Sequence, residues 1–303
     1  FFWTAVNETL AFDTSQREHR RWFLSDEVHY SAKSLKSSKA ITNTYSTSFS
    51  LGIRVLDSSL HDAIYAIYGF VRLADEIVDT FHEQDKEKLL KEFVEETENA
   101  IQRKISLNPV LNSFQWAVNK YKIDRDLIDA FIKSMAFDLS KKDYDRAAFD
   151  EYVYGSAEVV GLMCLAVFCG ENKLLYRELL EPAKSLGAAF QKINFLRDLK
   201  ADFKEKGRSY FPEIDLSNFT DQDKIEIESE IAADFEAGYK GIVNLPKNAR
   251  FGVYTAYVYY YNLYLKIKKV PAKEVLQKRI RITNSKKYLL LIVCRIRYLL
   301  GFI

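Results

Sequence analysis

The sequence predicts an all-α domain, on three observations. Apolar residues recur at spacings of three and four almost throughout, four of the 5 prolines stand where a helix would begin, and strand signals are weak. Over Ser58–Phe81 the apolar positions are Leu60, Ile64, Ile67, Tyr68, Val71, Ile77 and Val78, with Ser59 and Asp62 spaced as a capping box at the start. Pro109 after Asn108, Pro182 after Glu181, Pro246 and Pro271 mark further starts. No Asn-Gly or Asp-Gly pair offers a hairpin. There is no internal repeat and no low-complexity linker, so about ten helices are expected in one domain from about Ser34 to the end. Residues 1–33 are polar, charged and weakly periodic and read as an appendage without an assigned role.

The 303 residues, 48% of them hydrophobic, suffice for one large core. Lys plus Arg number 44 and Asp plus Glu 42, a balance that gives no electrostatic case for nucleic acid. Cys164, Cys169 and Cys294 have no CxxC spacing; the first two fall in an apolar run and read as core, which favours a reducing, cytoplasmic compartment. His19, His29, His61 and His82 have no zinc-binding spacing. No signal peptide is visible, and Tyr288–Ile303, interrupted by Arg295 and Arg297, reads as a core helix rather than a span. Aromatics are abundant, with 21 Phe and 19 Tyr. They would serve a core, or a dry pocket whose ring faces attract a cation.

Two acidic pairs carry the chemistry. Asp75 and Asp79 close the helix predicted over Ser58–Phe81, and Asp198 and Asp202 close a second one running from about Pro182. The i,i+4 spacing puts each pair on one face. With 42 acids in 303 positions, chance alone gives about six such pairs. What sets these two apart is context, because each follows a run too apolar for a surface helix: Ala63 to Val71, and Leu186 to Leu196 with Gln191 and Asn194 embedded. An arginine lies beside each pair, Arg72 and Arg197. Carboxylates suit Mg²⁺, which takes one or two of them with phosphate oxygens, and arginine grips phosphate bidentately.

At these residues the chain resembles the squalene/phytoene synthase family, over about Ser34 to Lys287. Tyr45-Ser46-Thr47-Ser48-Phe49 is similar to its N-terminal Ser-x-Ser-Phe element, and Tyr68 to Asp79 to its first aspartate-rich motif. Tyr152 to Gly161 resembles its Tyr-to-Val-Gly helix, Gln191-x-x-Asn194-x-x-Arg197-Asp198-x-x-x-Asp202 its second aspartate-rich motif, and Gly207-Arg208-Ser209-Tyr210-Phe211-Pro212 the loop after it. The family commonly has a small residue where this chain has Glu158.

The resemblance implies the all-α isoprenoid synthase bundle with a central cavity. It implies Mg²⁺, or Mn²⁺ in its place, held by Asp75, Asp79, Asp198 and Asp202. Diphosphate would be bound by Ser46, Ser48, Arg72, Arg197, Arg208, Tyr264 and Arg281, with Arg279 a candidate for the last role. Tyr68 and Tyr152 would be catalytic cavity residues, and Gln191 and Asn194 its polar lining. The implied reaction is head-to-head condensation of two prenyl diphosphates through a cyclopropylcarbinyl diphosphate. Tyr45-Ser-Thr-Ser-Phe and Leu73-Ala-Asp-Glu-Ile-Val-Asp resemble bacterial phytoene synthases, which implies geranylgeranyl diphosphate as substrate and no NADPH. C30 dehydrosqualene or squalene synthesis from farnesyl diphosphate is the alternative product. A head-to-tail elongase, which uses DDxxD motifs, and a non-catalytic assembly factor are the remaining readings. A water-insoluble product, together with the Tyr288–Ile303 segment, predicts peripheral contact with the inner membrane face, with a phytoene desaturase downstream.

Overall fold

The computed structural model describes residues 28–45, 47–140, 144–204, 210–212 and 214–303, with backbone alone for 47–49 and 201–204. Ser46, the side chain of Ser48, Arg208 and the side chain of Asp202 lie outside the described residues. Every described element is helical. In order they are α1 (28–45), α2 (Thr47–Arg54), α3 (Ser58–Asp79), α4 (Lys86–Arg103), α5 (Pro109–Tyr121), α6 (Arg125–Ser140) and α7 (Arg146–Val153). A π turn (Tyr154–Glu158) joins α7 to α8 (Val159–Cys169). There follow α9 (Lys173–Glu178), α10 (Leu180–Lys204), α11 (Asp221–Ile242), α12 (Lys247–Lys268), α13 (Ala272–Val275) and α14 (Asn284–Leu299). The expected boundary at residue 33 falls inside α1, whose Tyr30 hydroxyl donates to the carbonyls of Ser106 and Leu107 at 2.8 Å each.

Local chemistry sets the helix starts. Asp57, rather than Ser59, caps α3: its carboxylate accepts from the Ser59 backbone N–H at 2.9 Å and from the Ser59 hydroxyl at 2.7 Å. Asn108 caps α5 ahead of Pro109, and Pro246 and Pro271 stand just before α12 and α13. Pro182 lies in the first turn of α10, two residues after its start.

Two apolar clusters organise the bundle. One is built on α3, α4, α5, α6 and α8, where the Phe70 ring stacks on Phe114 at 3.8 Å and lies 5.3 Å from Phe93. The other joins α7, α10, α11, α12 and α13 with Tyr210 and Phe211. The run Arg146–Cys169 is long and apolar enough to cross a bilayer, but most of it is buried between the clusters. By contrast α14 is a surface helix, which corrects the core reading: only Cys294 of it is buried, and its outward face is apolar.

The π turn is held from two sides by close approaches that need glycine. A Cβ on Gly155 would lie 2.5 Å from the Ala130 carbonyl oxygen of α6. One on Gly187 of α10 would lie 2.9 Å from the Ala157 carbonyl oxygen. At an open helical site Gly→Ala would add about 1 kcal/mol of stability. Here the clash is with backbone, which cannot rotate away. Gly155→Ala should therefore lower stability by about 1–3 kcal/mol. Urea unfolding checks this, and an unchanged or raised midpoint would contradict the packing.

Candidate active site

Where the two clusters meet, the chain encloses a cavity of about 500 Å³. Two helices carry a graded face into it. Along α3 the lining runs Ile64, Tyr68, Val71, Asp75, Asp79, and along α10 it runs Leu186, Phe190, Gln191, Asn194, Asp198. Both faces change from apolar to polar toward the helix C-terminus, because the spacing of three and four keeps these side chains on one stripe. Residues such as Leu165, Phe168 and Leu245 supply the remaining apolar wall.

The α3 side of the polar end is crowded with carboxylates. About a third of the Asp75 side chain is exposed, 34%, and that part opens onto the cavity. Burial pushes its carboxyl up to about 7; repulsion from Asp79, Asp138 and Glu76 adds to this, against the attraction of Arg72. Arg72 is shared out: it ion-pairs with Glu76, lies 3.7 Å from Asp75 and sits 4.3 Å over the Tyr45 ring, while its buried Nε has no partner. It is not part of the cavity wall.

The α10 side has the opposite balance. Asp198 is gripped by Arg197 at 3.0 and 2.5 Å and by Arg279 at 2.6 and 3.1 Å. The second guanidinium is that of Arg279 and not of Arg281. Arg281 is exposed, and its backbone carbonyl accepts from Lys266 at 2.6 Å. Tyr264 is likewise away from the wall, packed on Phe235 with its hydroxyl donating to the Glu228 carbonyl at 3.3 Å. Tyr259 and Tyr260, one turn earlier on α12, line the cavity instead. Gln191 donates to Ser156 on the π turn at 3.2 Å, and Asn194 leaves its buried Oδ1 without a partner.

Tyr152 joins the two sides. Its hydroxyl donates to Asp138 of α6, 3.0 and 2.8 Å from the two carboxylate oxygens. Its ring lies 5.9 Å from Phe195 and 5.4 Å from Tyr210. Burial, with Asp138 next in weight, raises the phenol well above its ordinary range and keeps it neutral; burial does the same for Tyr68. The cavity thus brings together Asp75, Asp79, Asp198, Tyr68, Tyr152, Gln191, Asn194 and Arg197 of the sequence-predicted set. Asp138 was not among them. The signal for it was a lone acid in an apolar stretch, Met135-Ala136-Phe137-Asp138-Leu139. Cys164, read as core, also lines the cavity; no disulfide forms among the described residues.

Glu158 is turned off the cavity wall. Burial pushes its carboxyl up to about 7, opposed chiefly by Lys184 and Lys192, with Asp234 and Glu181 on the other side of the balance. Between its ordinary 4.5 and about 7 the folded chain holds a proton that the unfolded chain has released, so stability falls as pH rises through that window. Glu158→Gln should gain on the parent between pH 4.5 and 8 by roughly 1 kcal/mol, after discounting solvent screening of a part-exposed group. Unfolding at the two pH values checks it; a gap that does not widen would contradict it.

Phytoene synthase 1 of Solanum lycopersicum is 26% identical over 272 residues, covering 82% of this chain and 64% of the relative, so the chain spans under two thirds of that protein. The 4,4'-diapophytoene synthase of Staphylococcus haemolyticus is 30% identical over 203 residues, covering 64% of this chain and 67% of the relative. A crystal structure of a dehydrosqualene synthase superposes with a TM-score of 0.75 at 20% identity, covering 88% of this chain and 97% of that one. That likeness shows the fold, the isoprenoid synthase bundle. The squalene/phytoene synthase family model matches residues 42–286, which include every described residue of the cavity wall. The chain belongs to the squalene/phytoene synthase family.

Proposed function

We propose that the chain condenses two prenyl diphosphates head to head, and that two geranylgeranyl diphosphates give phytoene without a reductant. The observation that carries this reading is the joining, in one largely apolar cavity, of a carboxylate cluster on α3 and α6 with an arginine-held carboxylate on α10. The donor chemistry fits a hard divalent cation. Asp75 and Asp79 offer oxygens one turn apart on α3, and Asn194 Oδ1 is an orphaned acceptor on the facing α10 side. Among the described residues no three acids, histidines or cysteines are grouped to hold an ion alone. Mg²⁺ commonly takes one or two carboxylates, and its remaining ligands would be substrate phosphate oxygens. When bound, the ion neutralises the departing diphosphate.

The protein's own residues do the rest. Arg197 and Arg279, released from Asp198, would take diphosphate oxygens bidentately. As one C1–O bond breaks, the allylic cation adds to the C2–C3 double bond of the second substrate. Loss of a proton then leaves the cyclopropylcarbinyl diphosphate. The phenol of Tyr152 would relay that proton: its oxygen takes the proton up from the cavity as its own O–H proton passes to the Asp138 carboxylate it already donates to. The second diphosphate leaves, the skeleton rearranges, and a second proton is lost to form the central double bond. Tyr68, Phe190 and Tyr260 line the cavity, where aromatic rings would favour the cation and help keep water out.

The staphylococcal relative and the dehydrosqualene synthase neighbour favour one alternative, the same chemistry on farnesyl diphosphate. On either reading the product is a hydrocarbon passed on from the cytoplasmic side, to a phytoene desaturase in the C40 case.

Purified protein given geranylgeranyl diphosphate and Mg²⁺ without NADPH should release a C40 triene and diphosphate. A C30 product from farnesyl diphosphate alone would change the substrate, and no product from either would overturn the reading. Asp75→Asn should abolish turnover with the fold intact. Asp138→Asn should lower kcat about a hundredfold, by misplacing the Tyr152 phenol, with KM little changed. Arg279→Ala should raise KM at least tenfold and Arg281→Ala should not, by the charge-assisted pairing each can make. Equal effects would contradict the assignment to Arg279.

A further inference from the structure

Helix α14 has two opposite faces. Its inward side packs on α12 through buried Cys294 and through Tyr298, whose ring lies 5.2 Å from that of Phe251. Its outward side is a stripe of Leu289, Ile292, Val293, Ile296, Leu299 and Leu300, at spacings of three and four. Ile292 is 57% and Ile296 52% exposed. No described element covers this stripe. Its two edges are cationic, with Arg295 on one side and Lys286 and Arg297 on the other, by the 100° step of the helix. The helix Asn284–Leu299 contains no acid, although the whole chain has 42 acids against 44 basic residues.

We infer that α14 lies flat on an anionic lipid surface, with the apolar stripe sunk among the acyl chains and the flanking cations at the headgroups. Charge decides among the occupants. A second copy packed isologously on this stripe would crowd Lys286, Arg295 and Arg297 against the same set of cations on its partner, with no acid in the helix to pair them. An anionic leaflet satisfies every one of these cations. The helix is an in-plane anchor and not a span: it has 16 residues, and its opposite face is built into the protein. The placement has a consequence for traffic. The α12 helix meets α14 through Phe251 and, on its other side, lines the cavity through Gly252, Val253 and Ala256. The lipid face is therefore one helix away from the apolar wall of the site.

The test is flotation of the full chain with phosphatidylglycerol–phosphatidylcholine vesicles and with phosphatidylcholine vesicles alone. Binding is expected to the anionic vesicles, to fall with salt, and to fall about fivefold for each charge removed in Lys286→Gln/Arg295→Gln. Ile292→Glu/Ile296→Glu should abolish flotation while helix content and turnover in detergent stay as in the parent. That last readout separates this inference from the catalytic reading, which could fail on its own. No binding of the parent to anionic vesicles, or equal binding by the double glutamate variant, would overturn the inference. So would a sedimenting dimer that the same variant dissociates, which would assign the stripe to a second copy.

Discussion

The structure is arranged around a cost: Asp75, Asp79, Asp138 and Glu76 are gathered at the end of an apolar enclosure with Arg72 as the cation that pairs with Glu76 and stands 3.7 Å from Asp75. Burial in a poorly solvated place raises the Asp75 carboxyl to about 7, and repulsion from these like charges adds to it. A fold selected for stability alone would put neutral side chains there. Across the cavity Asp198 sits between two guanidiniums, so positive charge is in excess around it. One wall calls for a cation and the other for an anion, and a metal-bound diphosphate supplies both.

The scaffold serves this charge division. The long helices α3 and α10 are apolar for most of their length and acidic at their ends, so one stripe of each is both cavity wall and polar site. Tyr152, two residues before the π turn, and Ser156, within it, line the same cavity, where they meet Asp138 and Gln191. Gly155 and Gly187 allow α6 and α10 to press on that turn at backbone distance. Stacked aromatics around Tyr152, including Phe195 and Tyr210, fix the ring, and Phe195 does so without adding a polar group to the cavity.

Much of this was readable in the sequence, for definite reasons. The acid pairs stood out because each ended an apolar helical run, and contiguous motifs placed Tyr68, Tyr152, Gln191, Asn194 and Arg197 with them. Contacts across the bundle were not readable. Asp138 reaches Tyr152 from another helix, with no spacing rule to announce it. Arg279 and Arg281 are two residues apart in one basic run, and only the path of the chain after α13 decides which meets Asp198. Tyr288–Ile303 was read as core because its apolar count is high, while its edges, not its count, carry the information. Asp57 displaced Ser59 as the α3 cap because a carboxylate can accept from both the N–H and the hydroxyl of Ser59.

The central claim is that substrate and metal complete the site together, each neutralising the wall that the other leaves charged. Calorimetric titration with an inert thio analogue of geranylgeranyl diphosphate, with and without Mg²⁺, tests it most directly. The account predicts tight binding with the metal present, and weak binding of the analogue alone and of Mg²⁺ alone. Equal affinity for the analogue in the presence and absence of Mg²⁺ would contradict it.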